Sequence, residues 1–307
     1  MRAFIFPGQG SQAVGMGKTL AEASNLARAL FEEVDDALGQ GLFRLMAEGP
    51  QDALTLTENA QPAIMANALA TLRVSGIELA DKADFVAGHS LGEYSALCAA
   101  DAFDLATTAR LLKLRGRAMQ AAVPVGEGAM AALLGLGLEA AQAVAAEAAQ
   151  GEVCTVANDN DPNQVVVSGH KAAVDRALEI AKAHGAKRAL LLPVSAPFHS
   201  PLMKPAARAM EQALGEADVR PPLVPLFANV TAAQAEDPSE LRRLLVEQVT
   251  GMVRWRESVA AMAEAGVTHF VEFGGKVLGP MVKRIVPDAR TSSVVTMADI
   301  EALVKEI

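Results

Sequence analysis

The sequence is poor in the residues that mark disulfide-linked, zinc-binding and nucleic-acid-binding proteins. Its two cysteines, Cys98 and Cys154, form no CxxC pair, which argues against a disulfide framework and against a structural zinc site. Lys and Arg number 27 against 36 Asp and Glu, and the net charge of −9 disfavours nucleic acid as a partner. The apolar start, residues 1–6, is too short for a signal peptide, and no apolar run reaches membrane-spanning length. We therefore expect a cytoplasmic protein that binds neither nucleic acid nor a membrane.

The sequence does contain enough apolar residues for a large core. Hydrophobic residues make up 51% and charged residues 21%, a balance that favours a folded protein over a disordered one. The 307 residues suffice for one large α/β domain, or for one domain with a small insert.

A G-x-S-x-G pattern, GHSLG at residues 88–92, follows a predicted strand at 85–87 and precedes a helical pattern. This context is typical of a nucleophile elbow, in which glycines leave room for a tight turn that exposes the serine. The turn would present the Ser90 hydroxyl and aim the backbone N–H of Leu91 at a developing oxyanion. An ordinary turn with an N-capping serine is the alternative at this point.

The order of predicted elements changes in the middle of the chain. Residues 125–194 give the order βαββαβ, which is typical of a ferredoxin-like unit, with a polar loop at residues 158–163. We therefore predict an α/β fold. An α/β-hydrolase-like catalytic domain comprises residues 1–124 and 195–307, and a ferredoxin-like subdomain, residues 125–194, is inserted in it.

A serine nucleophile needs a base, and His199 is the best candidate among the five histidines. It lies in the loop SAPFHSP at residues 195–201, where prolines on both sides restrict the backbone. The group that would orient the histidine stays open, because no local motif marks any of the available carboxylates, Asp218, Asp237, Glu247 and Glu272.

Five segments together resemble the malonyl-CoA:acyl carrier protein transacylase family across essentially the full chain. In order they are FPGQGSQ at 6–12, GHSLGEY at 88–94, LRGRAM at 114–119, VSAPFHS at 194–200, and EQ at 247–248 followed by VRW at 253–255. The resemblance implies that Ser90 is the acylated nucleophile and His199 its base. It also implies that the backbone N–H groups of Gln9 and Leu91 form the oxyanion hole. The backbone carbonyl of Gln248 would orient His199 in place of an aspartate.

Two further roles follow from the resemblance and concern the substrate. Arg115 would bind the free carboxylate of malonate, for which a guanidinium is well suited. Without the resemblance, Arg115 would be interpreted as a surface charge beside Lys113 and Arg117. Phe198, which precedes the histidine, would crowd an α-methyl group and so favour malonyl over methylmalonyl.

The implied reaction is ping-pong transfer of malonyl from malonyl-CoA to acyl carrier protein through a malonyl-serine ester, without metal or cofactor. We expect a monomer that serves fatty acid biosynthesis, with a polyketide pathway as the alternative. Carrier proteins are typically acidic, so docking would use a basic patch. The candidate pairs are Lys187-Arg188, Arg242-Arg243 and Lys283-Arg284.

Three other functions compete with acyl transfer. The segment GQGSQA at residues 8–13 fits the G-x-G-x-x-G/A dinucleotide pattern after a strand, but the expected acidic residue at the end of a second strand is missing. A serine hydrolase such as a thioesterase would share the elbow and the histidine, and Arg115 argues against it. A non-catalytic scaffold is disfavoured by the intact pair of Ser90 and His199.

Overall fold

The structure is a computed structural model that describes residues 1–194 and 196–307. Ser195, which opens the second segment of the predicted catalytic domain and belongs to the histidine motif, lies outside the described residues. The first part of the chain forms β1 (Arg2–Phe6), α1 (Lys18–Ala23), α2 (Asn25–Leu38), α3 (Leu42–Glu48), α4 (Gln51–Thr55), α5 (Thr57–Ser75), α6 (Leu79–Lys82), β2 (Phe85–Gly88), α7 (Gly92–Ala99) and α8 (Leu105–Ala121). The middle part forms β3 (Gly128–Leu134), α9 (Leu138–Ala149), β4 (Cys154–Asp161), β5 (Gln164–His170), α10 (Lys171–Ala183) and β6 (Arg188–Leu191). The last part, which begins with a short 3-10 turn at Pro201–Met203, forms α11 (Lys204–Glu216), β7 (Leu226–Ala228), β8 (Ala233–Ala235), α12 (Pro238–Thr250), α13 (Trp255–Glu264), β9 (His269–Phe273), α14 (Leu278–Ile285), β10 (Arg290–Val294) and α15 (Met297–Glu306).

A six-stranded sheet in the order β10-β9-β1-β2-β7-β8 forms the centre of the larger part. Its strands pair in parallel except for β8, which runs antiparallel to β7 at one edge. Successive residues of β1 enter different core clusters, Phe4 and Phe6 on one face and Ala3 and Ile5 on the other. Both faces of this strand are therefore buried, which explains why its sequence is a continuous apolar run rather than an alternation.

A separate four-stranded antiparallel sheet, in the order β4-β5-β3-β6, lies between the two halves of the large part in sequence. α9 and α10 pack on it through a core of alanine and valine side chains. The predicted α/β class with a second, smaller unit is confirmed, and the element order of that unit is the predicted βαββαβ. The proposed domain boundaries stay a prediction.

The predicted loop at residues 158–163 is wrong, because β4 continues to Asp161 and only the next two residues turn. The four polar side chains at 158–161 are buried. Asp159 pairs with Arg256 and Asp161 with Arg284, which satisfies charges that would otherwise be costly to bury. Distant partners thus supply the interactions that solvent supplies to the polar groups of a loop.

Across residues 1–194 and 196–307, no helix is long and apolar enough to cross a membrane.

Candidate active site

Three neighbouring strands of the large sheet each lead into a loop that carries a residue of the site. β1, β2 and β7 are parallel neighbours, and each ends just before a polar residue that approaches the site. Gln9 follows β1, Ser90 follows β2 and Asn229 follows β7. Because the carboxyl ends of parallel strands share one edge of a sheet, residues far apart in sequence meet there.

The turn at Ser90 has the geometry of a nucleophile elbow. Ser90 has a φ of 55°, and α7 begins two residues later at Gly92. A Cβ atom on Gly88 would lie 1.9 Å from the backbone of Gly92, and one on Gly92 would lie 2.3 Å from the carbonyl oxygen of Phe6. Both glycines are thus required by close backbone approach, as the pattern predicted.

The serine, the histidine and a backbone carbonyl form a hydrogen-bonded chain. Oγ of Ser90 lies 2.7 Å from Nε2 of His199, and Nδ1 of His199 lies 2.8 Å from the carbonyl oxygen of Gln248. A carbonyl only accepts, so Nδ1 carries the hydrogen and Nε2 is left to accept the serine proton. Among the candidate carboxylates, Glu272 instead accepts backbone N–H groups at the start of α14.

Burial and, to a smaller extent, the positive charge of Arg115 lower the pKa of His199 to about 3, while the hydrogen bond to Gln248 opposes the shift. The imidazole is therefore neutral at neutral pH and able to accept a proton. Because burial disfavours the imidazolium, His199 can accept the proton only while negative charge developing at the reacting centre stabilises it.

Arg115 is not a surface charge. Its side chain is 1% exposed, and it donates to Oε1 of Gln61 at 2.7 Å, to Oε1 of Gln248 at 2.8 Å and to Oγ of Ser90 at 3.2 Å. Its two basic neighbours on α8, Lys113 and Arg117, pair instead with Glu58. Of these three neighbouring basic residues on α8, only Arg115 contacts Ser90, which contradicts the surface interpretation.

The two backbone N–H groups assigned to an oxyanion hole both lie at the pocket. Gln9 and Leu91 line it together with Ser90. Within the described residues neither backbone N–H donates to another group, while the Gln9 side chain accepts from Thr57 at 2.8 Å. The loop that carries Gln9 does not open directly into a helix, because α1 begins only at Lys18, so it lacks the helix start that a dinucleotide site uses.

The pocket has a volume of about 210 Å³ and is lined by loops that follow β1 and β2 of the large sheet, by helices of the large part and by residues of the small sheet. Met130 on β3 and Leu192 after β6 form apolar walls from the small unit. Phe198 lines the pocket together with Ser90 and His199 and is 8% exposed, so its ring limits the space near the imidazole.

Sequence analysis missed several groups that hold the site together. Gln61 on α5 holds Arg115, and Asn229 accepts the backbone N–H of Ser90 at 2.8 Å. No local pattern marks either residue. Glu93 and the side chain of Gln248 belong to segments that carried the resemblance, which was the available signal for them.

Known proteins are similar to this chain over nearly all of its length. Residues 3–282 match the family model described as acyl transferase domain. The malonyl CoA-acyl carrier protein transacylase of Bacillus subtilis is 44% identical, over 99% of this chain and 96% of its own. The acyl-carrier-protein-S-malonyltransferase of Bartonella henselae is similar in structure, with a TM-score of 0.97 and 52% identity over 99% of this chain and 98% of that one. A solved complex of a type II PKS acyl-carrier protein with its malonyl-transacylase gives a TM-score of 0.95 and 40% identity, over 100% and 99% of the two chains.

Proposed function

The chain belongs to the acyl transferase domain family, and we propose that it transfers malonyl from malonyl-CoA to the phosphopantetheine thiol of acyl carrier protein. One observation favours malonyl as the acyl group. Oγ of Ser90 is 2.7 Å from the base His199 and 3.2 Å from the guanidinium of Arg115, so a fixed cation lies beside the nucleophile. An acyl chain that ends in a carboxylate would place its charge against that cation.

In the first half-reaction, Nε2 of His199 accepts the hydroxyl proton while Oγ of Ser90 attacks the thioester carbonyl. The backbone N–H groups of Gln9 and Leu91 stabilise the oxyanion that forms. The C–S bond then breaks, and the coenzyme A sulfur takes the proton from His199. The products are free coenzyme A and a malonyl ester of Ser90.

The second half-reaction reverses these steps with a different thiol. His199 accepts the proton of the phosphopantetheine thiol, whose sulfur attacks the ester, and Ser90 recovers its proton as it leaves. The carbonyl of Gln248 holds the imidazole in the required tautomer throughout, although it stabilises the imidazolium less than a carboxylate would.

The nucleophile is tested by mass spectrometry of the protein after incubation with malonyl-CoA. The parent protein gains one malonyl group, and Ser90→Ala gains none. Ser95→Ala is the matched control, because Ser95 is buried on α7, the helix that follows Ser90, and its hydroxyl has no partner in the described part of the chain. A malonyl adduct on Ser90→Ala would refute the assignment.

A serine hydrolase is the alternative activity, and turnover with and without carrier protein separates the two. A transferase releases coenzyme A in a single burst of one equivalent until carrier protein is added. Continuous release of coenzyme A and malonate without carrier protein would favour the hydrolase.

Among the candidate basic pairs, Lys187-Arg188 is the best surface for an acidic carrier protein. Both side chains are exposed, and across residues 1–194 and 196–307 neither forms an ion pair. Arg243 and Arg284, by contrast, pair with acidic residues. The free pair lies at the start of β6, an edge strand whose chain continues into the pocket wall at Leu192.

Reversing that charge tests the docking surface. Lys187→Glu with Arg188→Glu should raise the KM for carrier protein and flatten its salt dependence, while Ser90 malonylation by malonyl-CoA stays unchanged. Arg243→Glu is the control. Equal effects of the two changes on KM would argue against docking at β6.

Pathway, location and oligomeric state complete the proposal. We place the enzyme in fatty acid biosynthesis, as a cytoplasmic monomer, with a polyketide pathway as the alternative. Both cysteines are free thiols, which suits a reducing compartment.

A further inference from the structure

A buried carboxylate, Glu93, lies behind the active site without forming part of the pocket wall. It occupies the first turn of α7, three residues after Ser90, and is 1% exposed. Burying a carboxylate is costly unless hydrogen bonds or opposite charges compensate. The reaction described above gives Glu93 no role.

Both oxygens of Glu93 face hydrogen-bond donors. Oε1 accepts the backbone N–H of Asn229 at 2.5 Å, and Oε2 accepts from Nε2 of Gln248. An acid proton on either oxygen would face a donor, so these contacts fit the ionised form. Burial raises the pKa of Glu93 to about 8 even though the two hydrogen bonds and the charge of Arg115 lower it. The ionised form is therefore assigned from the geometry, because each oxygen already faces a donor and an acid proton would find no acceptor.

The side chain of Gln248 lies between Glu93 and Arg115. Its Nε2 donates to Glu93 and to the carbonyl oxygen of Ser90 at 2.9 Å, and its Oε1 accepts from Nη2 of Arg115 at 2.8 Å. A guanidinium only donates and a carboxylate only accepts. The two charged neighbours therefore fix the orientation of the amide, with the NH₂ towards Glu93 and the oxygen towards Arg115.

Asn229, the second partner of Glu93, braces the nucleophile elbow. Its Oδ1 accepts the backbone N–H of Ser90 at 2.8 Å, and its Nδ2 donates to the carbonyl oxygen of Gly88 at 2.7 Å. One buried carboxylate thus holds both the residue that braces the elbow and the residue that holds the arginine.

We propose that Glu93 is a positioning residue, whose carboxylate sets the amide orientation of Gln248 and so holds the guanidinium of Arg115 beside Ser90. The inference rests on the proposed function, because the guanidinium matters most when the acyl group carries a carboxylate. Glu93 touches neither Oγ of Ser90 nor the pocket, so it acts through Gln248.

The isosteric change Glu93→Gln exposes this dependence. If the new amide turns its oxygen to Asn229, its NH₂ faces the NH₂ of Gln248. If Gln248 then turns over, its NH₂ faces Arg115 instead. If the new amide turns over, its NH₂ faces the backbone N–H of Asn229. Each arrangement leaves at least one pair of donors facing each other, and the unmet donor weakens the hold on Arg115 or on the elbow.

The test compares the rates at which malonyl-CoA and acetyl-CoA acylate Ser90 in single turnovers. We expect Glu93→Gln to slow malonylation about 100-fold, because small displacements of reacting groups are costly. The ratio of malonyl to acetyl rates should fall about tenfold, which corresponds to one weakened charged hydrogen bond. Glu272→Gln is the matched control, because Glu272 is also a fully buried carboxyl, and it accepts from the start of α14 and from Ser293 rather than from a residue of the site. It should lower the melting temperature without changing the ratio.

A double-mutant cycle with Arg115→Ala tests the route through the arginine. Once Arg115 is absent, Glu93→Gln should no longer change the malonyl to acetyl ratio. Glu272→Gln should lower the melting temperature by the same amount with and without Arg115 and leave the ratio unchanged in both. If Glu93→Gln does not fold, Gln248→Leu breaks the same chain from the other side and keeps the backbone carbonyl for His199. It should lower the ratio as well.

An unchanged ratio in Glu93→Gln, or in Gln248→Leu where that variant replaces it, would overturn the positioning role. So would a full additional effect in the Arg115→Ala background. Failure of the proposed function looks different, because the parent protein itself would then show no malonylation of Ser90.

Discussion

The two sheets contribute to the same pocket in different ways. The large sheet brings Gln9, Ser90 and Asn229 to one edge, where buried polar groups hold each other by hydrogen bonds. The small sheet supplies apolar surface, with Met130 on β3 and Leu192 after β6. Under the proposed mechanism, bond making depends on polar groups of the large part, whereas the small part limits the shape of the space around the acyl group.

Backbone and side-chain contacts of residues 157–160 on β4, which we call the polar seam, join the two units. Backbone hydrogen bonds link Asp159 and Ala157 to Val253, and buried Asp159 lies 2.8 Å from Arg256. Asn160 lies 2.8 Å from Nε2 of His89, the residue before the nucleophile. The small unit is thus held by charge and backbone pairing next to the elbow, and not only by apolar packing.

The largest effect expected from a single substitution that spares the nucleophile and the base is at Arg115, in the large part. Arg115→Ala should lower the kcat/KM for malonyl-CoA about 100-fold, because a charged hydrogen bond to the carboxylate is lost, and should spare or raise acetyl transfer. Steady-state rates with both substrates measure this. Arg117→Ala, an exposed arginine on the same helix, is the control and should change neither rate. Equal losses with both substrates would contradict the carboxylate role.

The pH dependence of Ser90 malonylation should reflect the low pKa of the buried His199. Since burial lowers the pKa of His199 to about 3, the imidazole of the free enzyme stays neutral far below pH 6.5. At pH 5 an ordinary histidine would be about 30-fold depleted in its neutral form, whereas this one would not. The acid limb of kcat/KM for Ser90 malonylation should therefore lie well below pH 6.5, with folding checked by circular dichroism. A limb near 6.5 would contradict the buried, neutral base.

The same shift has a consequence for stability. The folded state disfavours the protonated imidazole of His199, so the unfolded state binds more protons as the pH falls. The stabilisation linked to the neutral form is complete above pH 6.5 and is lost as the pH falls towards 3.

Much of the site was predictable, because its residues lie in short motifs with a local physical meaning. The elbow needs two glycines around Ser90, and this requirement can be recognised within five residues. The loop of His199 is marked by its prolines. The roles of these residues followed from the family resemblance, which also suggested the backbone of Gln248 as the third member.

What could not be predicted depends on long-range contacts. Asn229 supports the elbow from 139 residues away, and Gln61 holds Arg115 from 54 residues away. The polar run at 158–161 was predicted as a loop, because its partners Arg256 and Arg284 lie about a hundred residues later. The edge strands β8 and β10 are short or half-buried and lack a strong apolar pattern, so nothing local indicated them.

Removing a charge from the polar seam should lower the stability of the protein without slowing the reaction at Ser90. Asp159→Asn removes the charge that faces Arg256 and should lower the free energy of unfolding by about 1–3 kcal/mol. The rate of Ser90 malonylation in the folded protein should change less than about threefold, because the seam does not touch the reacting atoms. Denaturant unfolding and single-turnover acylation measure the two quantities. Asp175→Asn, in an exposed pair with Lys171, is the control and should cost about 0.5 kcal/mol or less.

A rate loss in Asp159→Asn as large as the stability loss would contradict this separation. It would mean that the small unit positions the nucleophile, for which Asn160 and His89 provide the shortest route.

The smallest expected effect concerns the shape of the pocket beside the base. Phe198→Ser removes a ring that lines the pocket next to His199, which makes room for an α-methyl group on the acyl chain. One methyl group is worth about 1–3 kcal/mol in a pocket, and we expect the low end of that range here, so the ratio of kcat/KM for methylmalonyl-CoA to that for malonyl-CoA should rise about fivefold. Phe198→Leu, which keeps apolar bulk, should give a smaller rise. Met130→Ala instead makes room on the side of the pocket formed by the small sheet. A larger rise of the ratio in Met130→Ala than in Phe198→Ser would mean that the small unit, and not the loop that carries His199, determines selectivity.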